Sequence, residues 1–305
     1  MQLRSLSKQQ VYEQLKGPGL GLVTGPFVFR IFSSLGDVAT QLATLYADAE
    51  LAATDSFTDF HVRVRLAKGL RRFYRPQSLF DLDGIVPFKP LPGKQALALL
   101  EWGMNWCIYS HAHNYLIIHG AVLERNGEAL LLPAPSGSGK STLCAALMMR
   151  GWRLLSDELI LLDPDTGLVH PLCRPVSLKN QSIDILRHFA PDAVFTDPIP
   201  DTTKGTVAHL RPTLDSMQRV SIPARPRWVV FPHYAAGSST HLAPQAKADV
   251  FMALVDNAFN YSILGARGFD ALASAVDHVD GFQAEYSSLD DVIAALDKMT
   301  GVISA

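Results

Sequence analysis

Apolar and polar positions along this chain follow two periods, one helical and one of strict alternation. Val11 and Leu15 behind a Ser7 cap predict a helix over residues 7–16, broken at Gly17-Pro18-Gly19. Residues 20–32 alternate about Thr24-Gly25-Pro26, the pattern of a hairpin. Val38, Leu42, Leu45 and Tyr46 fall at helical spacing and predict a helix over 36–46. Residues 60–66 alternate as a half-buried strand, and 72–80 and 83–88 read as further strands about a Gly84 turn. Short connections favour antiparallel pairing in this sheet-rich portion. The run from Pro87 to Gly93 carries three prolines and is the best boundary, giving an N-terminal portion 1–92 and a domain 93–305. The N-terminal strands either stand alone or extend the sheet of the second domain.

The next segment, 94–111, is apolar around its whole circumference (Leu97, Leu100, Trp102, Met104, Trp106) and predicts an interior helix. Ala129-Leu130-Leu131-Leu132 is a buried strand, followed by a small-residue loop and a helix over 143–149. Strands over 152–155 and 159–163 bracket Ser156-Asp157-Glu158, and Pro164–Gly167 turns the chain into a returning strand over 168–172. A helix is expected over 182–189. Residues 191–204 are rich in Pro, Asp and Thr, the composition of a mobile or functional segment. Strands over 206–210, 227–231 and 284–286 and helices over 246–259, 268–275 and 289–299 complete an α/β pattern.

Composition narrows the classes. A chain of 305 residues with 48% hydrophobic and 18% charged residues has the makings of a globular core. A net charge of −2 gives no reason to expect a nucleic acid. The basic residues from Arg63 to Arg75 read as a solvated face rather than a docking patch. Cys107, Cys144 and Cys173 are odd in number and dispersed, as expected of reduced thiols in a cytoplasmic protein. No signal core and no apolar run of ~20 residues point to a membrane.

The chemistry concentrates between residues 117 and 163. Ala134-Pro135-Ser136-Gly137-Ser138-Gly139-Lys140-Ser141-Thr142 lies between a strand and a helix, which is the P-loop arrangement apart from Ala134 at the first glycine position. Glycines let main-chain N–H groups turn inward around phosphate, and the helix N-terminus adds donors. Ser136, Gly137, Ser138, Gly139, Lys140, Ser141 and Thr142 would therefore cradle ATP, with Lys140 neutralising the β- and γ-phosphates and Ser141 facing Mg²⁺. The plain alternative is a glycine turn opening an ordinary helix. Adjacent carboxylates at Asp157 and Glu158 could divide metal binding and proton removal, or form a solvated acidic turn. His119 ends an apolar strand, where a histidine is as often a core residue. Arg174, Lys179 and Lys204 lie in polar surroundings from which a cation could reach a transferring phosphoryl group, or simply be solvated.

In order, His119-Gly120, Pro135–Ser141, Arg150-Gly151-Trp152-Arg153-Leu154 and Asp157-Glu158 resemble the motifs of HPr kinase/phosphorylase. With Arg174–Asn180 and Thr203–His209 added, the chain looks more like the HprK-related kinase A proteins. The resemblance implies an α/β P-loop kinase core of the HPr kinase/PEP carboxykinase-like type. It also implies ATP- and Mg²⁺-dependent transfer of a γ-phosphoryl group to a hydroxyl (Ser-type) acceptor on a peptide or protein. His119 would belong to the active site and Asp157 would be the base, with Glu158 standing where that family has Asp. The glycine-rich signature that follows the acidic pair in HPr kinases is absent, so HPr is not carried over as substrate. A PqqD-like peptide-binding partner is implied by the same resemblance, and a homo-oligomer is compatible with it. Two rival readings remain, a small-molecule kinase and a nucleotide-gated binding module without transfer.

Overall fold

Ser7 begins the first helix, α1 (Lys8–Lys16), through a reciprocal capping box with Gln10, which satisfies two otherwise unpaired amides. The hairpin β1 (Leu20–Thr24) and β2 (Phe27–Ser33) follows as the alternation predicts. Helix α2 (Gly36–Leu45) then carries the chain across, so that β3 (Phe60–Leu66) runs parallel to β2 rather than antiparallel. A helical crossover is what parallel neighbours require. Strand β4 (Gln77–Leu82) and the two-residue β5 (Leu91–Pro92) complete a five-stranded sheet, in the order β1-β2-β3-β4-β5. This computed structural model describes residues 1–69, 74–135 and 137–301, so the expected strand start at Arg72 lies outside the described residues. The strand expected over 83–88 is replaced by a tight turn. There Asp81 accepts the Gly84 amide at 2.8 Å, and Leu82 and Ile85 exchange both main-chain bonds. Helix α3 (Ala96–His111) packs on β3 and β4.

Two long strands come next, β6 (Leu116–Arg125) and β7 (Glu128–Pro133), joined by a turn with left-handed Asn126 and Gly127. Helix α4 (Lys140–Met149) starts three residues before the apolar pattern suggests. It is followed by β8 (Arg153–Ser156), β9 (Leu159–Leu162) and β10 (Val169–His170). Strand β11 (Val176–Lys179), helix α5 (Gln181–Phe189), β12 (Ile199–Thr202), β13 (Gly205–Leu210) and helix α6 (Leu214–Gln218) come after. Strands β11, β13 and β12 make a three-stranded antiparallel sheet. The segment 191–204, read as mobile or functional, contributes β12 to this sheet: Thr196 donates its amide to the His209 carbonyl at 2.9 Å, and Ile199 and Thr202 are buried.

The remaining elements are β14 (Arg225–Tyr234), β15 (His241–Gln245), helices α7 (Lys247–Asp256), α8 (Tyr261–Leu264) and α9 (Ala266–His278), strand β16 (Asp280–Tyr286) and helix α10 (Leu289–Met299). An eight-stranded sheet runs β10-β9-β6-β7-β14-β16-β15, with β8 also paired to β6. Strands β7, β14 and β16 are parallel neighbours. The period-two alternation assigns faces. Leu116, Ile118, Val122, Ala129, Leu131 and Val229 form one core with Val250, Leu254, Leu272 and Val276 of α7 and α9. Helix α4 contacts β6, β7 and β8 and is itself in contact with α10.

The protein is thus a mixed α/β structure with several sheets. Its contacts divide it into two compact units. One comprises Met1–Ala112, Cys173–Arg187 and Pro191–Ser221, and the other His113–Leu172, His188–Ala190 and Ile222–Ala305. The N-terminal strands form a sheet of their own instead of extending the eight-stranded one. Their ladder closes on β5, where Pro92 has no amide to offer a further strand. Among the described residues no helix is long and apolar enough to cross a membrane.

Candidate functional site

The site in the second unit is organised around one residue of β6. Strand β7 ends at Pro133, directly opposite Gly120. On the other edge of β6, β8 and β9 pair in succession, Ser156 against Val122 and Leu159 against His119. Asp157 and Glu158 occupy the break between them. The break is held closed by the Ser156 hydroxyl, which accepts the Leu159 amide at 3.1 Å, and by the Glu158 carbonyl, which accepts the Gly120 amide at 3.1 Å. The loop leaving β7 and the acidic turn leaving β8 therefore emerge at the same end of the sheet, on either side of Gly120. A Cβ on Gly120 would lie 2.7 Å from Ile160 Cδ1 and 3.1 Å from the Leu132 carbonyl, so only glycine allows this approach.

After β7, Gly137 and Gly139 take left-handed φ of 92° and 91°. Ser136 lies outside the described residues. Gly139 is doubly constrained, since a Cβ there would also stand 2.8 Å from the Tyr286 hydroxyl. Helix α4 then starts at Lys140 with no side-chain cap and no acidic residue in its first turn. Its leading amides are left for an external acceptor, and its dipole favours an anion there. Ser141 and Thr142 are half-buried in that first turn.

Lys140 is buried, at 6% exposure, which requires polar partners for its ammonium. Nζ donates to the Asp157 carbonyl at 2.6 Å and stands 3.9 Å from Asp157 Oδ1. Asp157 is itself buried. Glu158 Oε2 lies 3.4 Å from His119 Nε2, and the His119 ring meets Phe259 edge-on at 6.2 Å. The structure thus brings together His119, Lys140, Asp157 and Glu158, on the chain that also carries Gly137, Ser138, Gly139, Ser141 and Thr142.

The other three expected cations belong to the first unit. Arg174 is buried there and fully occupied. It donates to the Glu101 carboxylate at 2.5 Å, to the Glu101 carbonyl at 2.9 Å, to Asn105 Oδ1 at 2.6 Å and to the Tyr46 hydroxyl at 3.3 Å. Burial opposes the guanidinium charge, yet Glu101 and Tyr46 hold its pKa above the usual value. The guanidinium is held by these four bonds within that unit. Lys179 ends β11, and Lys204, in the β12–β13 turn, sits 5.2 Å from the centroid of the Trp102 ring.

Two residues given no site role in the sequence reading also line the glycine loop. Tyr234 ends β14 and donates its amide to the Ser138 carbonyl at 3.3 Å. Tyr286, its register partner at the end of β16, is buried, and that burial pushes its phenol pKa well up. The available signal was an aromatic residue at the end of each strand.

Residues 93–175 of the chain match the family described as SynChlorMet cassette protein ScmC. Over 70 residues the chain is 30% identical to HPr kinase/phosphorylase from three strains of Streptococcus thermophilus. That stretch spans 23% of this chain and 23% of the length of those relatives. A solved structure, the Hpr(Ser) kinase/phosphatase from Coxiella burnetii, aligns at 12% identity over 61% of this chain and 97% of that one, with a TM-score of 0.29. The similarity to HPr kinase/phosphorylase is distant and partial.

Proposed function

We propose that this protein is an ATP-dependent phosphotransferase of the HprK-related kinase A type, built on a P-loop core. The observation that carries the reading is the Lys140–Asp157 contact, 2.6 Å to the carbonyl and 3.9 Å to the carboxylate. It brings the lysine of the glycine loop and the acidic turn to one place, where phosphate and acceptor would meet. The distant similarity to HPr kinase/phosphorylase supports the same chemistry.

In this reading the amides of Gly137, Ser138, Gly139 and the first turn of α4 receive the phosphates, and Lys140 moves from the Asp157 carbonyl to the β- and γ-oxygens. Asp157, Glu158 and Ser141 offer only oxygen donors, two of them anionic, a set that fits Mg²⁺. When bound, the ion would offset charge on the phosphates. Asp157, relieved of Lys140, accepts the proton of the acceptor hydroxyl as its oxygen bonds to the γ-phosphorus, while the bond to the β–γ bridging oxygen breaks and ADP leaves with its charge offset by Lys140. His119 orients Glu158 through their 3.4 Å contact. The acceptor is a Ser-type hydroxyl on a peptide or protein, with a PqqD-like peptide-binding partner presenting it.

The test is single-turnover transfer from labelled ATP to a panel of peptide, protein and small-molecule hydroxyl acceptors, beside ATP affinity by calorimetry. Asp157→Asn is expected to keep ATP–Mg²⁺ affinity within a few-fold and to lose transfer by at least ~10²-fold. Glu158→Gln is expected to raise the Mg²⁺ concentration needed for activity. Unchanged transfer in both variants would overturn the mechanism.

A further inference from the structure

The acidic turn and the tyrosines lie on opposite flanks of β7. Asp157 and Glu158 are reached across β6, whereas Tyr234 and Tyr286 end the strands β14 and β16 on the other side. The end of a triphosphate that reacts has to face the carboxylates. Its nucleoside end then leaves the glycine loop over β14.

Tyr234 stands at that exit. Its amide bond to Ser138 ties it to the loop, and its Cβ is 3.3 Å from where a Cβ on Gly139 would stand. Its ring is fixed edge-on against Tyr286, with centroids 6.0 Å apart and planes at 74°. The chain after it is pinned too, since Ala235 donates to the Tyr286 carbonyl at 2.9 Å and Ser287 Oγ to the Ser238 carbonyl at 2.6 Å. Even so, Tyr234 is 52% exposed, an unusual state for a large ring held so firmly. The neighbouring residues, His233 and Ala235-Ala236-Gly237, carry no Lys or Arg that would suit phosphate. A rigid aromatic surface in water suits a flat, uncharged, aromatic ligand.

Resting on the nucleotide reading above, we infer that Tyr234 is the stacking platform for the nucleobase of the bound nucleotide, with Tyr286 as the buttress that sets its ring. The phosphates are held by the glycine loop and the base by the end of β14.

Calorimetry with ATP–Mg²⁺ and with inorganic tripolyphosphate–Mg²⁺ tests this, on the full chain and on Tyr234→Ala and Tyr234→Phe. Wild type is expected to bind ATP more tightly than tripolyphosphate. Tyr234→Ala should weaken ATP by about 10-fold, as the loss of one stacked base would, and leave tripolyphosphate within about 2-fold; Tyr234→Phe should keep both. Equal weakening of both ligands in Tyr234→Ala, or of neither, overturns the platform while the phosphate site stands. Wild type binding neither ligand overturns the nucleotide reading, and the platform with it.

Discussion

Lys140 and Asp157, 17 residues apart, meet through a 2.6 Å bond from the ammonium to the main-chain carbonyl, with the carboxylate at 3.9 Å. The ammonium is thus held at the acidic turn. Both groups are buried, so each limits the cost of charge in the other.

Gly120 sets the spacing of this arrangement. Gly120→Ala would press its methyl on Ile160 Cδ1 and on the β7 backbone. The expected loss is about 1–3 kcal/mol, the range for overpacking a close contact. Urea denaturation measures it, and an unchanged midpoint would show that β6 and β7 yield without cost.

Arg174 is placed as a structural cation. Arg174→Met would leave Glu101 buried without its partner, and the cost expected for breaking such a pair is about 3–5 kcal/mol. A variant with wild-type stability and a lowered transfer rate would instead restore Arg174 to the reaction.

The chain revealed its local pieces well. The Ser7 cap and the Thr24-Gly25-Pro26 turn are each decided by neighbours within a few residues, and each appears where the pattern put it. The contact of Lys140 with Asp157 and of His119 with Glu158 depends on β8 and β9 sharing one edge of β6, which no local period encodes. The strand Ile199–Thr202 within segment 191–204 was not legible because its pairing partner, β13, lies outside the segment. The partners of Arg174 were hidden for a related reason, since Glu101 and Tyr46 lie 73 and 128 residues away in the chain.

The turn after β9 carries a pH signature. Burial alone would raise the Asp163 pKa. The carboxylate accepts the amides of Asp165 at 2.9 Å and Thr166 at 3.4 Å and the Thr166 hydroxyl at 2.8 Å, with His170 3.6 Å away, and the net shift is downward. A lowered carboxylate pKa gives stability that is fully present above the unfolded value of about 3.9 and is lost as pH falls below it. Asp163→Asn should therefore melt below wild type at pH 6, and the gap should narrow as pH falls from about 5 to 3. A gap that stays constant with pH would contradict this.

The central claim is that Lys140 and the glycine loop hold nucleotide phosphates. Calorimetric titration of ATP–Mg²⁺ into wild type and Lys140→Ala tests it most directly. The account predicts saturable binding by wild type and a loss of at least about 10-fold in Lys140→Ala, since a charge-assisted phosphate contact is removed. No binding by wild type at millimolar ATP–Mg²⁺, or equal affinity in the two proteins, would contradict it.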